Sequence, residues 1–210
     1  FSMLSLGNLN AEINIQNSND LFDISNILQN CPSDNFNLNF KTTDGILAAS
    51  NAFEGAGTGI YSEKYELNIT NDFKNLLYAK EMFKNSRFKE IQASNFIGSK
   101  IKDTSYMFSN TRAKIINLRK FSPRVEKMDY MFSDNSNLTH VSAPKFSYGG
   151  SRYSVIENSS TYTFAGCKKL VSLIFSNSWI NLFGENSTVS LANTFRDCEE
   201  FNDSRVSNWD

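Results

Sequence analysis

An α/β repeat fold with one parallel sheet of short strands is predicted by three features of the sequence. A phenylalanine anchor recurs every 24–32 residues, an apolar strand signature follows it, and the 210 residues include only 10 glycines and 3 prolines. Asn, Asp and Ser must therefore supply many turns, where their side chains can bond to the backbone. A motif that recurs along a whole chain indicates architecture, since a catalytic motif is normally needed once.

The anchor is clearest in KIKDTSYMFSNT (100–111) and RVEKMDYMFSDN (124–135), which share an aromatic-Met-Phe tripeptide. Successive anchors, the first two of them weak, are Leu28, Phe53, Phe83, Phe108, Phe132, Phe164 and Phe195. The steps between them are 25, 30, 25, 24, 32 and 31 residues. We therefore predict a single domain, residues 1–210, of seven to eight repeats.

An apolar–x–x–apolar–x–apolar signature follows the stronger anchors, and its alternation at period two predicts a short strand. The copies are Phe88/Ile91/Ala93, Ala113/Ile116/Leu118, Leu138/Val141/Ala143 and Leu170/Leu173/Phe175, often closed by an aromatic residue (Phe96, Phe121, Phe146, Trp209). Shorter pairs, Ile13/Ile15, Phe36/Leu38 and Leu67/Ile69, place strands nearer the N-terminus.

This signature and pitch are typical of a leucine-rich-repeat-like solenoid. One short strand cannot bury its apolar residues alone, so each repeat must pair with the next at about 4.8 Å. The anchor phenylalanines then form an internal column. We expect loops and short helical turns on the side opposite the sheet.

The phrases DTSYMFSNT, YTFAGCKKLVSLIFSNS and FNDSRVSNWD resemble the BspA-like bacterial surface-protein repeat, a family that includes mycoplasma-type lipoproteins. The resemblance is strongest over residues 80–210. It implies a right-handed leucine-rich-repeat-like solenoid at the bacterial cell surface or secreted, with a role in adhesion. It does not imply an enzyme.

Composition excludes some partners. The formal net charge is -1 and the charges are scattered, so no basic stripe indicates nucleic-acid binding. No apolar run reaches about 18 residues, so we expect membrane contact only through an anchor outside this sequence. The chain begins at FSMLSLGNL and stops at SNWD inside a repeat, so we expect it to be part of a longer protein.

Candidate chemical sites are few. Cys31, Cys167 and Cys198 each follow an anchor by three residues, in a slot that other repeats fill with Ala56, Ser86, Thr111 and Asn135. A metal cluster or disulfide is one interpretation, but the slot favours a buried small residue, so we predict free thiols and no metal.

Catalysis and cofactor binding find little support in the sequence. The only histidine, His140, is expected at the surface, and GAGTG (55–59) lacks the features of a phosphate-binding loop. We therefore expect neither cofactor nor enzymatic activity.

The exposed face of the predicted sheet is the main candidate binding surface. It would carry Gln92, Asn117, Arg119, Ser142 and Ile174, and two inserts (147–160 and 176–190) add the aromatic residues Tyr148, Tyr153, Trp179 and Phe183. These residues predict a protein-binding module, or adhesin, that engages a host or neighbouring-cell protein. A structural spacer or display stalk without its own ligand is the alternative.

Overall fold

The fold was analysed in a computed structural model of the chain. It describes residues 6–13, 22–40, 45–57, 66–143, 147–148, 158–159, 161–175, 189–190 and 192–203. The strands are β1 (Leu6–Ile13), β2 (Phe22–Asp23), β3 (Ser33–Phe40), β4 (Ile46–Ala48), β5 (Glu66–Ile69), β6 (Glu90–Gln92), β7 (Ile115–Asn117), β8 (Arg124–Val125), β9 (His140–Ala143), β10 (Ser147–Tyr148), β11 (Asn158–Ser159), β12 (Ile174–Phe175) and β13 (Val189–Ser190).

The main sheet has seven strands in the order β1-β3-β5-β6-β7-β9-β12, and every pair is parallel. Leu67, Ile91, Ile116 and Val141 are opposite one another in register and are fully buried. Since side chains alternate between the two faces of a strand, this row covers the core while its neighbours face outward. The predicted parallel strands are confirmed.

The first strand lies mostly before the pair Ile13/Ile15 that predicted it. Leu9 and Ala11 of β1 lie opposite Phe36 and Leu38 of β3. Ile13 ends β1, and Ile15 lies outside the described residues. The apolar alternation continues along β1, so a shift by an even number of residues preserves the pattern and the sequence could not decide the register.

Left-handed backbone angles recur two residues before and two residues after every anchor. Their φ values lie between 52° and 74°, at Asn26, Asn30, Asn51, Gly55, Glu81, Asn85, Tyr106, Asn110, Tyr130, Asp134, Tyr162, Gly166, Asn193 and Asp197. Asn, Asp and Gly adopt this region most readily, which explains the Asn-rich composition. We call each five-residue segment that these positions bound an anchor turn.

Hydrogen bonds join each anchor turn to the next. The N–H of Phe83 donates to Met107 O and the N–H of Phe108 donates to Met131 O, both at 2.8 Å. The N–H of Tyr106, two residues before its anchor, donates to Asp129 O at 3.0 Å. These bonds satisfy backbone groups that would otherwise be buried without partners.

The segments expected to be short helical turns are irregular hydrogen-bonded turns, and the part of the chain that the structure describes contains no helix. The reason is local, because a left-handed residue every few positions prevents a right-handed helix from propagating.

The expectation of a single sheet was also incomplete, because the described residues form three two-stranded parallel sheets beside the main one. β4 continues through single bridges from Ala48 to Tyr78, to Asp103 and to Lys127. The repeats therefore pair with one another along a second line as well as in the main sheet.

The predicted internal column of aromatic rings is present. Consecutive rings are nearly parallel, with centroids 4.9–5.6 Å apart and interplanar angles of 2–9°, along Phe53, Phe83, Phe108, Phe132, Phe164 and Phe195. The first five are buried. We call this series the phenylalanine stack.

Two of the predicted closing aromatics form a second contact. Phe96 and Phe121 are buried and stacked at 5.2 Å, whereas Phe146 and Trp209 lie outside the described residues.

Candidate functional site

The outward row predicted for the main sheet is in register. Gln92 lies opposite Asn117, Asn117 opposite Ser142, and Ser142 opposite Ile174. We call these four residues the sheet-face row. The side chains of Gln92, Asn117 and Ser142 are half-buried, as expected for groups that stand beside their neighbours on an open sheet.

Two amides of the sheet-face row form an oriented hydrogen-bond chain. Asn117 Nδ2 donates to Gln92 Oε1 and Gln92 Nε2 donates to Glu90 Oε2, both at 3.0 Å. The chain ends on a carboxylate, which polarises each amide in turn. Within the described residues nothing donates to Asn117 Oδ1, so that oxygen can accept a hydrogen bond from a ligand.

The charges beside this row have both signs. Arg119 is exposed just beyond β7, and Glu90 is half-buried in β6. His140 is exposed, as predicted, with Nδ1 2.8 Å from Thr139 Oγ1. Such a face can form directed polar contacts, but it lacks the single-sign field that would attract a polyanion.

Of the four insert residues named from the sequence, Tyr148 alone is among the described residues. It belongs to β10, which pairs with β8. Tyr153, Trp179 and Phe183 lie outside the described residues. Their assignment to a binding surface stays a prediction.

The three cysteines are free thiols, as predicted. Cys167 Sγ donates to Phe132 O and Cys198 Sγ donates to Phe164 O, both at 3.0 Å, so each thiol bonds to the preceding anchor. Burial raises the pKa of all three thiols, that of Cys198 to about 11. At neutral pH the thiols are therefore protonated and weakly nucleophilic.

Asn135 fills the same slot with a buried amide. Its Oδ1 accepts from the Thr111 N–H (2.8 Å) and hydroxyl (2.6 Å), and its Nδ2 donates to Phe108 O (2.8 Å) and Phe132 O (2.7 Å). The slot is therefore structural in this repeat. Across the described part of the chain, no three His, Cys, Asp or Glu side chains gather as metal ligands.

Sequence reasoning missed a second column of aromatic rings. Tyr106, Tyr130 and Tyr162 stack with centroids 4.8 and 4.9 Å apart and interplanar angles of 2°. All three are half-buried. The signal was available, because a tyrosine precedes the anchor by two residues in SYMF, DYMF and TYTF.

No family model, curated protein or solved structure matches this chain. Among the residues that the structure describes, no helix is long and apolar enough to cross a membrane.

Proposed function

We propose that the chain is a protein-binding module at the bacterial cell surface, built as a right-handed leucine-rich-repeat-like solenoid. The recurring apolar signature and the regular succession of strand and anchor turn support the solenoid. The resemblance of its repeat phrases to BspA-like surface proteins supports the location and a role as an adhesin.

The main support for this proposal is that polar side chains of the sheet-face row are held in place by hydrogen bonds. Gln92 and Asn117 already share a hydrogen bond of 3.0 Å, so their amides are held in place before a partner arrives. Preorganised polar groups lose less conformational entropy on binding than mobile ones. A polar surface that extends across several strands suits another protein, whose interface is typically about as polar as the rest of its surface.

The test is capture of purified host-matrix and cell-surface proteins by the immobilised chain, followed by affinity measurement for those that bind. Gln92→Ala combined with Asn117→Ala should weaken binding by about tenfold or more, because a typical hydrogen bond contributes roughly 1 kcal/mol and two amides are lost. Thermal unfolding of the variant should remain close to that of the starting chain.

Gln29→Ala is the matched control. Gln29 donates to Glu54 Oε2 at 2.8 Å, much as Gln92 donates to Glu90, but it belongs to an anchor turn and is exposed. Its loss should leave affinity unchanged. Equal affinity of the Gln92/Asn117 variant and the Gln29 variant would rule out the sheet-face row as the binding surface.

A structural spacer or display stalk is the second candidate, favoured by the unbroken phenylalanine stack. Rings stacked from Phe53 to Phe195 give each repeat a rigid contact with the next. Fibre formation that grows with protein concentration, measured by light scattering, together with no captured protein, would favour the spacer over the binding module.

A further inference from the structure

We call Tyr106, Tyr130 and Tyr162 the tyrosine stack. The backbone conformation of these three residues does not favour tyrosine. Their φ values are 57°, 56° and 54°, and an ordinary side chain in this left-handed region is strained. Asn26, Asn51 and Asn193 fill the same position of three other repeats, as the backbone prefers, and Glu81 fills it in the repeat of Phe83. Strained residues that persist in a structure point to a role other than folding.

Small residues accompany the three tyrosines in their repeats. The residue after the anchor is Ser109, Ser133 or Ala165 in the repeats that carry the tyrosines, and all three are buried. The equivalent residues in earlier repeats, Glu54 and Lys84, have long charged side chains. The pairing of large and small residues is confined to three consecutive repeats, so the stack is a local feature of the surface.

Hydroxyl groups distinguish the tyrosine stack from the phenylalanine stack. Within the described residues no side chain or backbone group bonds to the hydroxyl of Tyr106, Tyr130 or Tyr162. Phenylalanine would stack equally well, as the phenylalanine stack demonstrates, so stacking alone does not account for the three hydroxyls. Phenol groups with an apolar body and a polar tip are enriched at protein interfaces.

Two carboxylates act on Tyr130, the central ring of the stack. Desolvation, the neighbouring Tyr106 and Tyr162, and the carboxylates of Asp129 and Asp134 all raise the pKa of Tyr130. The ionised groups that act on this ring are thus both acidic. Asp134 is exposed, whereas Asp129 is half-buried and its Oδ1 accepts hydrogen bonds from the Thr161 N–H and hydroxyl, both at 2.7 Å.

The ammonium group of Lys84 already lies over Tyr106, the first ring of the stack. Lys84 Nζ lies 5.0 Å from the centroid of Tyr106, within the range of a cation–π contact. Phenol oxygens and carboxylates both accept hydrogen bonds from ammonium and guanidinium groups. A cationic side chain would therefore complement Tyr130, Tyr162 and Asp134.

We propose that the tyrosine stack with Asp134 is a second binding surface, which takes a basic segment of a partner protein through its arginine or lysine side chains. This surface is formed by the anchor turns and shares no residue with the sheet-face row. Its existence does not depend on the function proposed for that row.

The test uses short synthetic peptides and calorimetric titration of the full chain. A peptide of alternating arginine and serine should bind, with an affinity that falls as ionic strength rises, because salt screens exposed charges. The same peptide with glutamate in place of arginine should not bind. Equal binding of the two peptides, or no binding of the arginine peptide, would overturn the proposal.

Two substitutions localise the contact. The triple variant Tyr106→Phe, Tyr130→Phe, Tyr162→Phe keeps the stacked rings and should weaken arginine-peptide binding about tenfold, since it removes three hydrogen-bond acceptors. Asp134→Asn should weaken it by about threefold to tenfold through loss of a charge-assisted bond. Unchanged affinity in both variants would contradict this assignment of the site.

Matched controls exist for both changes. Tyr78→Phe alters an exposed tyrosine outside the stack, and Asp197→Asn alters an exposed aspartate at the same left-handed position of another repeat. Neither should change the affinity, and Asn117→Ala on the sheet face should not change it either. Weakening by these controls as large as by the stack variants would show general charge attraction and would sink the proposal.

Discussion

The phenylalanine stack and the tyrosine stack have almost the same geometry and very different surroundings. Phe108 and Phe132 are 5.4 Å apart with an interplanar angle of 4°, and Tyr106 and Tyr130 are 4.8 Å apart with an angle of 2°. The phenylalanines are fully buried, whereas the tyrosines are half-buried. Equal stacking therefore does not imply equal stabilisation, because the free energy depends mainly on the apolar area removed from water.

The two stacks also differ in backbone conformation. The anchors have ordinary backbone angles, while the tyrosines two residues earlier are left-handed. Part of the gain from tyrosine stacking must offset this strain. The buried phenylalanine stack holds the repeats together, and the half-buried tyrosine stack exposes part of each ring to solvent.

Removing a ring from the middle of the phenylalanine stack should have the largest effect. Phe108 lies between Phe83 at 4.9 Å and Phe132 at 5.4 Å, so Phe108→Ala leaves a cavity with rings on both sides. We expect a loss of about 3–5 kcal/mol in the free energy of unfolding, measured by urea denaturation. Phe195→Ala should cost less, because Phe195 is only half-buried. Equal costs would mean that burial does not govern the stack.

Asn135→Ala should have the next largest effect. It removes an amide that bonds to the carbonyls of Phe108 and Phe132 and leaves the Thr111 N–H without its acceptor. Unsatisfied buried groups cost about 1–3 kcal/mol, so we expect about 2–3 kcal/mol in urea denaturation. Asn137→Ala, at an exposed position close by, should stay within about 0.5 kcal/mol. A similar small loss at Asn135 would show that water replaces the amide.

Tyr130→Asn should destabilise the chain far less than Phe108→Ala. Stacking contacts contribute about 0.5–1.5 kcal/mol per pair, but asparagine relieves strain of about 1–2 kcal/mol at this left-handed position. The net loss should be about 1 kcal/mol by urea denaturation. Tyr130→Phe serves as the control and should be nearly neutral. A loss at Tyr130→Asn as large as at Phe108→Ala would make the two stacks energetically equivalent.

Cys198 lies beside the phenylalanine stack, and the effect of its burial can be tested by changing the pH. Burial raises the pKa of Cys198 to about 11, so in the folded chain it keeps its proton where an unfolded thiol has lost it. The stability contributed by this thiol is present below about pH 9 and falls as the pH rises towards 11. Cys198→Ala should flatten that decline in urea denaturation. An unchanged slope would mean that Cys198 titrates normally.

Lys84→Gln should have the smallest effect. It removes the ammonium group 5.0 Å from the Tyr106 ring and an ion pair with Glu81 at 3.0 Å. A partly exposed cation–π contact and a surface ion pair each contribute about 0.5 kcal/mol, so urea denaturation should detect a loss of about 1 kcal/mol or less. Lys80→Gln, which lacks the ring contact, should be neutral. A larger loss would place Lys84 among the structural residues.

Much of the fold could be predicted from the sequence because the anchors are both large and repeated. A buried ring such as Phe108 must be covered by its neighbours, and the same residue recurring in the next repeat supplies that cover. The register in the central repeats followed from this, as the opposition of Ile91, Ile116 and Val141 confirms. The register of the first strand did not follow, because its alternation offers several equivalent registers.

The candidate site was predicted less completely. Alternation indicated that Gln92 and Asn117 would share a face, which the strand register confirms. The direction of their hydrogen bonds towards Glu90 depends on rotamers, and the pattern contains no information about those. The tyrosines of SYMF and DYMF were read as part of the anchor, because sequence alone does not reveal that their backbone is left-handed.

The amino-acid sequence by itself determined the repeat length, the buried anchor and the alternation of the strands. These properties are local and recur along the chain, so each copy confirms the others. Only the tertiary structure decided which strands pair, which residues adopt left-handed backbone angles and which rings remain half-buried. Those outcomes depend on contacts between residues some 25–32 positions apart, whose relative placement the local pattern does not determine.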